Sequence, residues 1–178
     1  MKDLSILTND QLQDLSALHI ACWIGDHRRL YRLMSEVQYY EMVNEGDSNG
    51  WTPLHWACAG DTRGHIECAQ YLLRAKAFID KKNIAGDTPL HISILKNRLA
   101  MVKFLVEEGA NLRERNAQDD TPFDLAMKLK RHNLAHLVQW GGMHVMARSA
   151  MRRRKFSSLI NTWQKPVIYI IFLFLLSK

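Results

Sequence analysis

The chain has 178 residues, 47% hydrophobic and 24% charged, enough for one packed domain plus a tail and too apolar for wholesale disorder. Its formal net charge of +6 is uneven: Gly141 to Lys178 holds seven basic residues and no acid, and the remainder carries 17 basic against 18 acidic residues, a net of −1. A neutral body with a cationic tail argues against a nucleic-acid-binding domain, which would carry its basic stripe on the body.

The chain opens Met1-Lys2-Asp3-Leu4 and continues polar, so no secretory leader is expected. Cys22, Cys58 and Cys68 form neither a full disulfide set nor a CxxC pair, which fits a reducing compartment. Four segments then align: Ser16-Ala17-Leu18-His19-Ile20-Ala21, Thr52-Pro53-Leu54-His55-Trp56-Ala57, Thr88-Pro89-Leu90-His91-Ile92-Ser93 and Thr121-Pro122-Phe123-Asp124-Leu125-Ala126. Successive copies are offset by 36, 36 and 33 residues. In each, Ser or Thr is placed to cap a helix and Pro suits a first turn that needs no N–H. Second helices follow at Gly64–Leu73 and Leu99–Val106, with apolar residues at helical spacing, and Gly109 stops the latter. Before each new copy stands a turn: Asp47-Ser48-Asn49-Gly50, Asn83-Ile84-Ala85-Gly86 and Asn116-Ala117-Gln118-Asp119, the last with Asp where Gly is usual.

The register and period resemble the ankyrin-repeat family over about residues 14–142. The resemblance implies an all-α solenoid of four helix-turn-helix repeats with hairpin fingers, about 14–47, 48–83, 84–116 and 117–142, behind an N-terminal cap at 1–13. It implies that His19, His55 and His91 bridge neighbouring loops by hydrogen bonds. Once per repeat is not how metal ligands cluster. Repeat one, with Ser16-Ala17 and a longer stretch from Val37 to Glu45, reads as an atypical capping repeat whose second helix, near Leu30, Leu33 and Met34, is irregular. Repeat two carries three extra residues within Ala59–Arg63. Repeat four has Asp124 in place of His, with no later repeat to bridge, and Gly141-Gly142 is expected to end the array.

No catalytic constellation is present: no GxSxG, phosphate loop, HExxH or CxxC, so neither catalytic residue nor cofactor is assigned. His132 and His136 lie four apart without a third ligand, so no metal is assigned. The family places partners in the concave face, built from finger tips and variable first-helix positions. Those carry Ile20, Leu95 and, as the candidate partner-binding residues, Trp23, Ile24, Trp51, Trp56, Ile92 and Lys96. Aromatic groups there fit a groove for a protein or extended peptide; the competing reading packs Trp23 against Trp56 between repeats.

The segment 143–165 is a basic linker with Arg152, Arg153, Arg154 and Lys155, and 166–178 holds ten consecutive apolar residues, Val167–Leu176, after Pro166. As a helix ten residues reach ~15 Å, about half a bilayer's hydrocarbon core. The run reads as the start of a transmembrane helix, an interfacial anchor, or a segment packed on the repeats. The basic cluster favours an anionic membrane surface approached from the cytoplasmic face. Repeats, basic linker, Pro and hydrophobic run together resemble the N-terminal region of ankyrin-repeat palmitoyltransferases of the Asp-His-His-Cys family, although the Asp-His-His-Cys segment itself is absent. Three functions follow: a membrane-tethered adaptor, the substrate-recruiting front of such an enzyme, or a soluble regulatory ankyrin protein.

Overall fold

Every repeat starts with the same small device, and the fold grows from it. A computed structural model describes residues 15–36, 39 and 42–141; the cap 1–13, the linker 143–165 and the hydrophobic segment 166–178 lie outside them. At Thr52 the backbone N–H donates to His55 Nδ1 (3.2 Å), whose ring also meets Thr52 Oγ1 (2.9 Å). The pair recurs at Thr88 and His91 (3.3 and 2.8 Å) and in part at Ser16 and His19 (2.7 Å from Oγ to Nδ1). These bonds use N–H groups that a helix start leaves orphaned. Pro53, Pro89 and Pro122 follow directly, each supplying a helical φ where no N–H is missed.

The first helices are α1 (Ala17–Ile24), α3 (Pro53–Ala59), α5 (Pro89–Leu95) and α7 (Pro122–Lys128). The second helices are α2 (His27–Leu33), α4 (Arg63–Arg74), α6 (Leu99–Glu107) and α8 (132–141). No strand occurs among the described residues. First helices stack in series, α1 on α3 on α5 on α7, and α2 and α6 flank α4. Leu18, Leu54 and Leu90 are fully buried at one register, each worth about 2–3 kcal/mol of transfer free energy. One turn on, Ala21, Ala57, Ser93 and Ala126 are also fully buried, and their small side chains let successive helices approach. Ser93 keeps its hydroxyl satisfied by donating to the Leu90 carbonyl at 2.8 Å.

One departure from expectation stands out. The second helix of repeat one is regular: Asp26 Oδ1 accepts the Arg29 N–H at 2.9 Å and α2 buries Leu30 completely.

The fingers are tight hairpins of one design. Asp47 N–H donates to Trp51 O (3.0 Å), Asn83 to Asp87 (3.0 Å) and Asn116 to Asp120 (3.1 Å). The turn residue is left-handed each time: Gly50 (φ 72), Gly86 (φ 73) and Asp119 (φ 62). Asp therefore does take the glycine position, as short polar residues can. Fingers also bond to each other, Ile84 N–H to Asn49 O (3.1 Å) and Ala117 N–H to Ala85 O (3.0 Å).

Candidate protein-binding face

The histidines fix this face by tying each first helix to the next finger. His19 Nε2 meets Trp51 O at 3.0 Å, His55 Nε2 meets Asp87 O at 3.1 Å, and His91 Nε2 meets Asp120 O at 3.1 Å. Where Nδ1 accepts a backbone N–H, as in His55 and His91, Nε2 must be the protonated nitrogen and donates to the carbonyl. All three are buried, and burial holds each pKa below the usual value, that of His55 at about 4. They are structural groups. Asp124 takes the same cap position, accepting from Thr121 N–H (3.1 Å) and Oγ1 (2.6 Å), and these bonds lower its pKa.

A second set of ties, on the side of the inter-helix turns, has no counterpart in the repeat signature. His65 Nε2 reaches the Trp23 carbonyl (3.0 Å), Arg98 Nε donates to the Ala59 carbonyl (3.0 Å), and Arg131 Nη1 donates to the Ile94 carbonyl. Each crosses from the start of a second helix to the end of the preceding repeat's first helix. In repeat two the extra residues build it: Thr62-Arg63-Gly64-His65 copies the Thr-x-x-His cap, with Thr62 Oγ1 2.5 Å from His65 Nδ1. A Cβ on Gly64 would lie 2.2 Å from the Gly25 carbonyl oxygen, so only glycine lets the repeats close here. The spacing Thr62-x-x-His65 is visible in the sequence, but at the start of a second helix it occurs once, out of the repeat period.

The candidate binding residues divide. Trp51 and Trp56 come together, ring centroids 5.0 Å apart and planes inclined by 50°. Both are half-buried. The ring partner of Trp56 is thus Trp51, from the finger, and not Trp23. Asp47 fastens the pair: Oδ2 accepts from Trp56 Nε1 (3.0 Å) and Oδ1 from the N–H groups of Trp51 and Asn49 (2.9 Å each). With Leu15, Ser48 and Asn49 they line a recess of about 200 Å³. Trp23 and Ile24 are half-buried at the end of α1, and Lys96 is exposed at the end of α5; none of them lines the recess. Ile92 is corrected: at 1% exposure it is a core residue and offers nothing to a partner. The finger residue Ile84, 75% exposed, and Leu95, 40% exposed, are the apolar groups presented on this side of repeat three. Ile84 sits in a turn whose composition alone gives no sign of binding. Within the described residues no group of three metal-ligating side chains forms, and no helix is long and apolar enough to cross a membrane. Arg152, Arg153, Arg154 and Lys155 lie outside the described residues.

The family model described as "Ankyrin repeats (many copies)" matches residues 37–73 and 54–106. SH3 and multiple ankyrin repeat domains protein 2 of Homo sapiens is 32% identical over 93 residues, covering 52% of this chain and 5% of the relative. Target of rapamycin complex 2 subunit AVO2 of Saccharomyces cerevisiae is 27% identical over 122 residues, 67% of this chain and 28% of the relative. SMC5-SMC6 complex localization factor protein 1 of Homo sapiens is 33% identical over 116 residues, 64% of this chain and 10% of the relative. The chain thus spans less than a third of the length of these relatives. The repeats in it are ankyrin repeats.

Proposed function

We propose that this ankyrin-repeat protein is a scaffold or adaptor whose partner, a protein or an extended peptide, docks on the side formed by the first helices and fingers. The observation that carries this reading is the Trp51–Trp56 pair, half-open to solvent, pinned by Asp47 and bordering a recess. Two preorganised indoles lose little entropy on docking, and large aromatics supply most binding hot spots. The relatives named above include subunits or factors of assemblies, as their names say, which agrees with an interaction role. A partner captured by photocrosslinking from position 56 would be purified and titrated against the wild-type and Trp56→Ala chains. Loss of about 30-fold or more in affinity, with an unshifted thermal midpoint, is the expected outcome for a hot spot of ~2 kcal/mol. Unchanged affinity with a lowered midpoint would make Trp56 a packing residue.

We propose further that the tail holds this module at the cytoplasmic face of a membrane. Support comes from the sequence: Arg152–Lys155 precede the ten-residue apolar run by a dozen residues, and a basic patch with one hydrophobic anchor together give stable attachment where either alone is marginal. The finer reading, the substrate-recruiting front of a palmitoyltransferase, rests on the order of parts alone. Flotation on anionic and on neutral liposomes tests the tether. Removal of 166–178 should abolish binding to both, and neutralising Arg152–Lys155 should remove only the anionic preference. A full chain that stays at the bottom with both would leave a soluble regulatory protein.

A further inference from the structure

We propose that the Trp51–Trp56–Asp47 recess receives the ammonium group of a partner's lysine side chain. The proposal rests on the docking reading above and specifies its chemistry. Three features of the recess select a cation. First, two indoles border it, and indole is the aromatic ring that attracts a cation best. Second, Asp47 lies on its wall, and among the described residues no lysine or arginine pairs with that carboxylate. The nearest imidazoles leave its charge uncompensated, because burial keeps His19 and His55 neutral. Third, the rim is polar: Ser48 and Asn49 line it, with Leu15 the aliphatic member. A purely apolar anchor would leave the carboxylate beside it poorly hydrated, at a cost no partner group offsets.

The bonds already made by Asp47 then choose between the two cationic side chains. A carboxylate has about four lone-pair directions. Three are occupied in place, two on Oδ1 by the Asn49 and Trp51 N–H groups and one on Oδ2 by Trp56 Nε1. One direction on Oδ2 is left. A guanidinium forms its strong pairing through two parallel bonds, one to each carboxylate oxygen, and Oδ1 has none to give. An ammonium needs only one acceptor and makes up the rest of its attraction from the ring faces, as a point charge does. A recess of about 200 Å³ accommodates one unbranched alkyl chain with its head group.

The test labels the full chain with 5-fluorotryptophan, giving five fluorine signals, those of Trp51 and Trp56 being assigned by single substitution to Phe. It is titrated with n-butylammonium, n-butylguanidinium and n-pentanol at fixed ionic strength. Saturable shifts confined to Trp51 and Trp56 are expected for n-butylammonium, with n-pentanol and n-butylguanidinium about tenfold weaker. Asp47→Asn should weaken n-butylammonium at least fivefold while Trp23, Trp140 and Trp163 keep their shifts. Should that variant misfold, Trp51→Phe serves instead: it keeps an aromatic ring and the backbone N–H bonded to Asp47 Oδ1, loses the better π donor and should bind several-fold weaker by the Trp56 signal. Equal binding of the alcohol or the guanidinium, or no shift with any probe, overturns the proposal. Should Trp56→Ala nonetheless lose the captured partner, docking at this face stands and only its lysine chemistry falls.

Discussion

Acid should unfold this protein through His55, and the structure gives the size of the effect. In the folded chain Nδ1 accepts the Thr52 N–H and Nε2–H donates to Asp87 O. A second proton would set N–H against N–H at Nδ1, in a position that burial already makes hostile to charge. The pKa accordingly drops from 6.5 to about 4, burial being the largest cause. Because the folded value is the lower one, the unfolded chain binds the proton first. Stability from this site is complete above about pH 6.5 and is lost as pH falls from there towards 4. At pH 5 the linkage relation gives about 2 kcal/mol lost through His55 alone. His19 and His91, also lowered by burial, act in the same direction. The assay is urea unfolding followed by circular dichroism at pH 7 and pH 5, on wild type and His55→Ala. The variant should be weaker at pH 7 by ~1–3 kcal/mol, because the ring's hydrogen bonds to Thr52 and to Asp87 O are gone. It should then lose about 2 kcal/mol less than wild type between the two pH values. Parallel losses in both chains would refute the tautomer and the bridge together.

Three further outcomes are expected. Gly64→Ala should lower stability by about 1–3 kcal/mol, because its methyl group meets the Gly25 carbonyl, and a melt within a degree of wild type would contradict that geometry. Lys76→Gly should raise the urea midpoint, since Lys76 is held at φ 68 where glycine is free of strain, a gain of roughly 0.5–1 kcal/mol. A lowered midpoint would mean that the lysine side chain makes up for its backbone. Asn44→Ala should loosen the segment after α4, because the Asn44 amide donates to Lys76 O (3.2 Å) and accepts from Phe78 N–H (2.7 Å). Faster hydrogen exchange at Phe78 is the readout, and unchanged exchange counts against it.

What repeats in space also repeats in sequence, and there the reading from residues alone succeeded. Thr-Pro-Leu-His at 52–55 and 88–91 announced the caps and the helix starts; the bridges were implied by the family resemblance, and their acceptors are Asp87 O and Asp120 O. Even Asp119 in the glycine position and Asp124 in the histidine position were interpretable, since the physical demand at each position is known. The failures fall where a residue answers to its neighbours and not to the period. Ile92 shares its register with half-buried Trp56, yet it is sealed in the core. His65, Arg98 and Arg131 perform one task with two chemistries, so no letter recurs to mark it. The Trp51–Trp56 contact joins a finger to the helix that follows it, and Asp47 becomes its fastener only once the hairpin has closed.

The three cysteines carry one more consequence. Cys22, Cys58 and Cys68 are free, wholly buried and confined to the first two repeats, and burial pushes the thiols of Cys22 and Cys58 well up. Thiolate is the reactive form, so a labelling reagent has to wait for the chain to open. In a linear array whose units contact only their neighbours, the two ends need not open together. Labelling rates would therefore clock the opening of the amino-terminal half alone. Set beside amide exchange at Leu105 or Val138, which lie in the other half, they would reveal whether this short stack comes apart as one unit or peels from one end.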